Sequence, residues 1–314
     1  MKIFYICFTF LSLLGCDLET SPAPIKVSIN DKVELNEQMI KADDSQYNTL
    51  YFGFDLRSTL QEDARQYLPF LQYLESSTGY RFKLRFTTKN STIMEELGTN
   101  HVQFAAMGAM SYLKAKEKFN VTTIVQGINL QGQNKYRSFM VVKTDSSINN
   151  LADIKGKRIA FGDKSSTQGH LIPRIILSQQ GLRLSDLTAY IYTGSHQHCA
   201  EVVLSGEYDV CGMQDTLAET MEKQGLLRIL YRSPYFPGSG IVANDQVSIE
   251  VIKVVKQALL DFQPLGKDKD KLYHWDKTEM PLGFSPAKLD GYTNLKQWAI
   301  QLGFLEAIAE VQEK

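Results

Sequence analysis

A run of small polar residues, Ser165-Ser166-Thr167-Gln168-Gly169-His170, has the side chains best suited to chemistry in this sequence. It follows the apolar run 158–161 and precedes a segment with helical spacing that ends near Gln180. The first turn of a helix leaves backbone N–H groups without partners and carries partial positive charge. Hydroxyls placed there either cap the helix or, together with these N–H groups, bind an anion. The loop sequence alone favours a helix cap. Whether the loop also binds an anion depends on the elements around it.

Strand-like and helix-like stretches alternate on both sides of this loop. In the first half of the chain, the predicted strands are 50–54, 80–86, 102–107 and 121–127, and the predicted helices are 63–76, 91–97 and 109–118. The pattern restarts after the run 136–142. Its predicted strands are 158–161, 189–192, 208–211 and 227–231, and its predicted helices are 168–180, 216–223 and one that ends at 204. From residue 241 on, mostly helix is expected, most clearly over 248–262 and 289–309. This alternation predicts two α/β units with parallel sheets flanked by helices.

Two crossings between the units predict a cleft, which is the usual place for a ligand and for hinge closure. We therefore divide the chain into a signal peptide (1–15), a flexible tether (16–46), lobe 1 (47–138 plus 241–314) and lobe 2 (139–240). About 270 residues remain after the tether, which is enough for two lobes with cores of their own. The net charge of −1 and the lack of a basic run argue against a nucleic-acid partner.

The N-terminus reads as an export signal. The apolar run 3–14 after Lys2 is too short to span a membrane, as expected for a signal-peptide core. Gly15-Cys16 resembles the bacterial lipobox, which predicts that Cys16 is lipidated and becomes the first residue of the mature protein. The alternative is an ordinary signal peptide in which Cys16 has no role. Asp17 resembles an inner-membrane retention signal. We expect a protein of the cell envelope, lipid-anchored at the periplasmic face of the inner membrane, or at the outer face of the cell membrane where no outer membrane exists.

Two of the four cysteines, Cys199 and Cys211, remain after Cys7 and Cys16 are assigned to the signal and the lipid. Both lie among apolar neighbours, in a predicted helix and a predicted strand. We expect two buried free thiols. A disulfide stays open, because the predicted compartment is oxidising.

Several stretches resemble one family in consistent order over about residues 48 to 245. Residues 162–169, followed by Pro173, resemble the Gly-Asp-Pro-x-Ser-Thr-Ser-Gly loop of the phosphate/phosphite/phosphonate-binding (PhnD-like) proteins of ABC importers. Further stretches that resemble the family are 69–75, 108–112, 149–156, 193–196, 206–210 and 232–238. The resemblance implies a type II periplasmic-binding fold. In that fold, two lobes with mixed, mainly parallel sheets close on a phosphorus oxyanion, and two crossover strands form the hinge.

Site residues follow from the resemblance position by position. Ser166 and Thr167, in the loop that Ser165 opens, would bind phosphoryl oxygens through their hydroxyls and local N–H groups. His196 and Tyr136 would each add a hydrogen bond. The plain alternatives are a helix cap for His196 and a half-buried hinge aromatic for Tyr136. Hydroxyl, N–H and imidazole donors suit a ligand that offers only acceptors. Such a site needs no lysine if two helix starts already point at the anion.

Departures from the family pattern limit the ligand. Gln168 replaces the third hydroxyl and could still donate through its amide, and Asn90 stands where the family has a tyrosine. Aminoalkylphosphonate binders hold the ligand ammonium with two carboxylates, and this chain has Ser239 and Thr216 at those places. Asp215, beside Thr216, would contact the ligand or orient His196. The sequence therefore favours phosphate, phosphite or a small phosphonate with a neutral tail.

Other function classes fit less well. A zinc receptor would use the histidines that cluster in sequence, His170, His196 and His198, but two of them diverge at a helix start and no acidic partner has a suitable spacing. An enzyme is disfavoured because no Gly-x-Ser-x-Gly elbow or Cys–His pairing is visible. We expect no cofactor, no metal, a monomer, and an ABC permease and ATPase as partners. The alternative function is a ligand sensor that signals to a kinase. The sequence does not distinguish it from an import protein, because both need the same ligand-driven closure.

Overall fold

The computed structural model describes residues 49–57, 59–87, 91–288 and 291–306. The predicted signal peptide, the tether, the lipidation site Cys16 and the predicted ligand residue Asn90 lie outside these ranges. No helix within the described ranges is long and apolar enough to cross a membrane.

Strands and helices alternate from Thr49 to Gly127 almost as the sequence predicts. They are β1 (Thr49–Phe54), α1 (Leu60–Thr78), β2 (Arg81–Leu84), α2 (Ile93–Gly98), β3 (Phe104–Met107), α3 (Ala109–Phe119) and β4 (Thr122–Gly127). The Thr59 hydroxyl caps α1 by accepting a hydrogen bond from Glu62 N, and Gly79 ends that helix with φ 75°, a conformation that glycine adopts without strain. All four residues of β3 are buried, because helices cover both faces of its sheet.

A second series runs from Lys135 to Pro237. Its elements are β5 (Lys135–Tyr136), β6 (Ser138–Lys143), β7 (Arg158–Phe161), a π-helical turn (Thr167–Leu171), α4 (Ile172–Gln179), β8 (Ala189–Tyr192), α5 (His196–Leu204), β9 (Val210–Gln214), α6 (Asp215–Lys223), β10 (Leu227–Arg232) and β11 (Phe236–Pro237). The predicted helix 168–180 is thus two pieces. A π-helical turn comes first, and such turns are frequent at functional sites.

The last part of the chain returns to the first sheet. It contains β12 (Gly240–Ala243), α7 (Ile249–Leu260), β13 (Phe284–Pro286) and α8 (Tyr292–Gln301). The expectation of mostly helix missed β12 and β13, which are short and add to strands that are distant in sequence. Within the predicted helix 289–309, the structure describes α8 and the residues around it up to 306.

The two large sheets share one arrangement. The first has the order β2-β1-β3-β12-β4-β13, and the second has the order β8-β7-β9-β6-β10. In each sheet the strand that returns from the other series, β12 or β6, is inserted antiparallel in the fourth place. We call the first sheet with its helices lobe 1 and the second lobe 2. The remaining pair, β5 with β11, is antiparallel and joins the segments that cross between the lobes.

Apolar side chains fill both lobes and also link them. In lobe 1, Phe70 stacks on Trp275 with ring centroids 4.7 Å apart, and neither ring reaches solvent to any extent. The α8 segment contacts both lobes, because Tyr292 packs on Tyr112 of α3 and Phe304 packs on His170 of the π-helical turn. Burial of such large aromatic surfaces is the main source of stability in a fold of this kind.

Cys199 and Cys211 form a disulfide, so the expectation of two free thiols was wrong. Cys199 lies on the inner face of α5 and Cys211 lies on β9, and both are fully buried. Their Cα atoms are 5.8 Å apart, a separation that a disulfide spans without backbone movement. The sequence alone could not fix this pairing, because it depends on how α5 packs on β9.

Replacement of both cysteines by alanine should lower the free energy of unfolding by about 2–4 kcal/mol, because the cross-link restricts the unfolded chain. Urea unfolding of the variant and the wild type measures the difference. A protein that starts at Asp17, unfolded without reductant, should show no reactive thiol. Two reactive thiols per chain would contradict the bond.

Candidate functional site

Polar side chains gather where strands of both lobes end. Asp55 and Arg57 follow β1, Gly108 follows β3, and His196 follows β8. The Ser165–Thr167 stretch comes after β7 and leads into the π-helical turn, which begins at Thr167. In α/β sheets, ligands bind beyond the carboxyl ends of the strands. This position therefore defines the candidate site.

The start of α3 forms the centre of the site. Gly108 N donates to Asp55 Oδ2 at 2.8 Å, Ala109 N donates to the Tyr136 hydroxyl at 3.3 Å, and Met110 N donates to Thr167 Oγ1 at 2.8 Å. These N–H groups have no partners inside the helix. Lobe 1, the crossover strand β5 and lobe 2 each supply one oxygen to them. Thr167 thus bonds directly across the cleft.

Arg57 brings a positive charge into the site. Its Nη2 lies 3.1 Å from Glu279 Oε2 and 3.8 Å from Asp55 Oδ2, and it donates to Ser239 Oγ at 3.4 Å. The Ser239 hydroxyl donates to the same Glu279 carboxylate. Burial alone lowers the pKa of Arg57, but the two carboxylates outweigh it and raise the pKa, so the guanidinium stays charged.

The Ser165–Thr167 stretch is held by its own neighbours. Ser166 Oγ accepts a hydrogen bond from Gly169 N at 2.9 Å and so caps the π-helical turn, which leaves its O–H hydrogen free to donate elsewhere. The Ser165 hydroxyl and backbone N–H both donate to Asp163 Oδ1. Thr167 is buried and faces α3. The cap that the sequence favoured is therefore present, and Thr167 still reaches the other lobe.

His196 is a buried, uncharged imidazole at the start of α5. It is 4% exposed, and its Nδ1 has no hydrogen-bond partner among the described residues. A side chain at Gly169 would meet the ring at 2.9 Å, so the close packing of His196 requires glycine there. Burial first, and then Arg57, lower the pKa of His196 to about 3. At neutral pH the ring therefore offers one N–H and one acceptor nitrogen.

Gln168 and Asp215 lie together beside the crossover strand. Gln168 Nε2 donates to Arg137 O at 2.7 Å and to Asp215 Oδ1 at 3.3 Å, so both amide hydrogens have acceptors within the protein. Asp215 also accepts from the N–H groups of Arg137 and Thr216. Burial raises the pKa of Asp215 to about 6. In this structure the two side chains hold the segment that joins β5 to β6.

Two cavities flank Arg57. One of about 270 Å³ is lined by Arg57, His196, Ser239 and Glu279 among other residues. The other, of about 310 Å³, is lined by Arg57, Asp55, Ser165, Ser166 and Thr167 among others. Each volume is at the low end of the range for small-molecule sites, which suits a small ion better than a large organic ligand.

Asp55, Arg57 and Glu279 are the residues that sequence reasoning missed. The first two follow directly after the strand β1, and that position was a usable signal. Glu279 carries no such signal, because it lies in an irregular segment between a short 3₁₀ turn and β13. Only the fold brings it to Ser239.

The histidines that cluster in sequence are used separately. His170 Nδ1 pairs with Lys164 O, and His198 Nδ1 pairs with Thr193 O. Across the residues that the structure describes, no three His, Cys, Asp or Glu side chains are placed to hold a metal ion.

Most of the chain matches one known protein family. The family described as "ABC transporter, phosphonate, periplasmic substrate-binding protein" matches residues 52–292. The "Phosphonates-binding periplasmic protein" of Escherichia coli is 28% identical over 229 residues, which cover 70% of this chain and 66% of that protein. The "Phosphate-import protein PhnD" of Mycolicibacterium smegmatis is 28% identical and is covered to 64%. The matches thus span just under two thirds of these relatives.

The fold resembles that of a solved phosphonate-binding structure. PhnD1 from Prochlorococcus marinus in complex with methylphosphonate superposes with a TM-score of 0.72 at 18% identity, and the match covers 82% of this chain and 99% of that one. The predicted type II periplasmic-binding fold is thereby confirmed.

Replacement of His196 by glutamine should flatten the acid dependence of stability. A base whose pKa falls from 6.5 to about 3 on folding contributes stability that is present above pH 6.5 and is lost as the pH falls towards 3. The wild type should therefore lose up to about 1.4 kcal/mol per pH unit more than the variant in that window. Urea unfolding from pH 4 to 7 measures both slopes.

The matched control is His198→Gln, which removes an exposed histidine from the same helix and should keep the wild-type slope. Equal slopes in His196→Gln and the wild type would show that His196 is not a buried neutral base.

Proposed function

The chain belongs to the family of periplasmic substrate-binding proteins of phosphonate ABC transporters, and we propose that it captures a phosphorus oxyanion between lobe 1 and lobe 2 for an ABC importer. The observation that carries this proposal is the start of α3. Its three N–H donors meet oxygens from both lobes and from the crossover strand, with Arg57 alongside. An oxyanion is the ligand that such donors suit best.

Ligand contacts are assigned as follows. Thr167 and Ser166 donate through their hydroxyls, Tyr136 donates through its phenol, and His196 donates through one ring N–H. Burial raises the pKa of Tyr136, which keeps the phenol protonated and able to donate. Arg57 is added to the predicted set, because a single guanidinium offsets part of the ligand charge in a buried site. Ser165 shapes the loop through Asp163.

Gln168 and Asp215 act on the hinge rather than on the ligand in this proposal. Their hydrogen bonds run to Arg137, which lies between β5 and β6. They would therefore influence closure by fixing the crossover strand.

A ligand with a neutral tail is favoured. Glu279 lies beside Ser239, where a carboxylate could have received a ligand ammonium. It is already ion-paired with Arg57 at 3.1 Å and hydrogen-bonded by Ser239. A ligand ammonium would have to replace the guanidinium, so phosphate, phosphite and small alkylphosphonates fit better. The relatives named for phosphonate and for phosphate support this class without choosing within it.

Closure of the lobes is the proposed capture step. The Thr167–Met110 hydrogen bond spans the cleft, and the two segments paired as β5 and β11 cross at the hinge. We further propose export to the cell envelope, a lipid anchor at Cys16, a monomeric state, and a permease and ATPase as partners. The envelope location agrees with the family description.

The first test is a thermal-shift and calorimetry screen of the purified protein. Phosphate, phosphite and methylphosphonate at millimolar concentration should each be tried, with zinc as the control. At least one phosphorus oxyanion should raise the melting temperature, because a ligand that binds only the folded state stabilises it. If none does so, the proposed ligand class is wrong.

Thr167→Ala should weaken oxyanion binding by about 1–3 kcal/mol, because it removes one buried hydroxyl donor. Calorimetric titration with the best ligand of the screen measures the loss. Thr167→Ser keeps the hydroxyl and should recover most of the affinity. If the alanine variant binds with unchanged affinity, Thr167 does not contact the ligand and has only a structural role.

A further inference from the structure

Asp55 places a carboxylate at the point where an oxyanion should bind. Asp55, Arg57, Gly108 and Thr167 line one cavity of about 310 Å³ in front of α3. In this cavity Asp55 Oδ2 lies 3.8 Å from Arg57 Nη2, and it accepts a hydrogen bond from Gly108 N. A ligand in this cavity would meet a guanidinium, a hydroxyl and a carboxylate.

A carboxylate is an unusual neighbour for an anion. Ionised Asp55 offers only acceptors, and a fully ionised phosphoryl oxygen offers only acceptors as well. Two such groups repel at hydrogen-bond distance unless one proton lies between them. A phosphorus oxyanion can supply that proton as a P–OH group. Sulfate and sulfonates cannot, because they carry no proton near neutral pH.

We propose that Asp55 is a specificity-determining residue that accepts a hydrogen bond from a protonated oxygen of the ligand. It thereby selects phosphorus oxyanions over sulfur oxyanions and makes capture depend on one proton. This inference rests on the proposed function of the site, in which Thr167, Tyr136 and His196 donate to the ligand and Asp55 is the carboxylate that accepts from it.

The surrounding charges favour the shared proton. The charged and titratable groups around Asp55 and its neighbour Arg57 are Glu279, Tyr67 on α1, Lys114 on α3, Tyr136 on β5, and Asp163 and His196 of lobe 2. The tyrosines and His196 are neutral, and Lys114 offsets Asp163. Arg57 is shared between Asp55 and Glu279, so the centre carries one negative charge before any ligand enters.

A doubly charged ligand would add to the negative charge at this centre, and the uptake of one proton reduces it. Burial raises the pKa of Asp55, although Arg57 and the Gly108 N–H oppose this, so the carboxyl group tolerates a shared proton better than an exposed aspartate would. The position of Asp55 at the helix start, and not this shift alone, is what places the proton between protein and ligand.

The dependence on pH has a definite sign. The second pKa of a phosphate monoester is about 6, and that of phosphate or an alkylphosphonate is roughly one unit higher, so these ligands are mostly doubly charged at pH 8. The proposal requires an ionised Asp55 in the free site, which the contacts with Arg57 and the Gly108 N–H favour. The complex must then take up about one proton from solution. Affinity should then fall by about tenfold for each pH unit above the second pKa of the ligand.

The test begins with the unmodified protein. Titration calorimetry with methylphosphonate at pH 8, in two buffers with different ionisation enthalpies, counts the protons taken up. About one proton per ligand is expected, and none would overturn the proposal. Methanesulfonate, which has nearly the same shape, should bind at least about 100-fold more weakly. Equal binding would also overturn the proposal. Phosphate and sulfate form a second matched pair.

Asp55→Asn is the decisive variant. Its amide can donate to an ionised oxygen, so proton uptake at pH 8 should disappear and the preference for methylphosphonate over methanesulfonate should shrink at least about tenfold. Asp145→Asn, at an exposed position in the loop after β6, is the control and should behave as wild type. If Asp55→Asn does not fold, the proton count and the comparison with methanesulfonate on the wild type still test the proposal.

The outcomes separate the two claims. If no phosphorus oxyanion binds at any pH between 6 and 8, the proposed function fails, and the role of Asp55 fails with it. If methylphosphonate binds without proton uptake, or if Asp55→Asn keeps the full preference over methanesulfonate, only the role of Asp55 fails.

Discussion

The first N–H groups of α3 are the constraint on which the rest of this site depends. They cannot bond within the helix, and they are buried, so they must find acceptors elsewhere. In this structure the acceptors are Asp55, Tyr136 and Thr167, which come from lobe 1, the crossover strand and lobe 2. A single helix start thus ties together the three parts that the proposed closure would move relative to one another.

The strand order explains how distant residues reach this point. Each lobe has parallel neighbouring strands, so β1 and β3 end side by side in lobe 1, as do β7 and β8 in lobe 2. Their carboxyl ends carry Asp55, Gly108, Thr167 and His196. The returning strands β12 and β6 pair with the strands of their sheets, and the β5–β11 pair lies on the segments that connect the two lobes. The disulfide between α5 and β9 adds a fixed support three residues after His196.

The sequence predicted the local elements well, because apolar spacing and Gly or Ser punctuation are local properties. It also predicted the Ser165–Thr167 stretch and His196 as neighbours of a cleft. It did not predict the ion pair of Arg57 with Glu279, because these residues are over 200 positions apart and no periodicity joins them. The disulfide and the strands β12 and β13 were missed for the same reason. Gln168 looked like a ligand donor, and its hydrogen bonds to Arg137 and Asp215 depend on tertiary packing.

The central claim is that a phosphorus oxyanion binds at the start of α3 between the lobes. The most direct measurement is an amide NMR titration of isotope-labelled protein with methylphosphonate. The amide signals of Gly108, Ala109 and Met110 should shift most and saturate together, because the ligand oxygens replace or join their present acceptors. Saturable shifts that leave these three amides unchanged, and that appear instead around the cavity near Asn134 and Lys288 behind the hinge, would contradict the account.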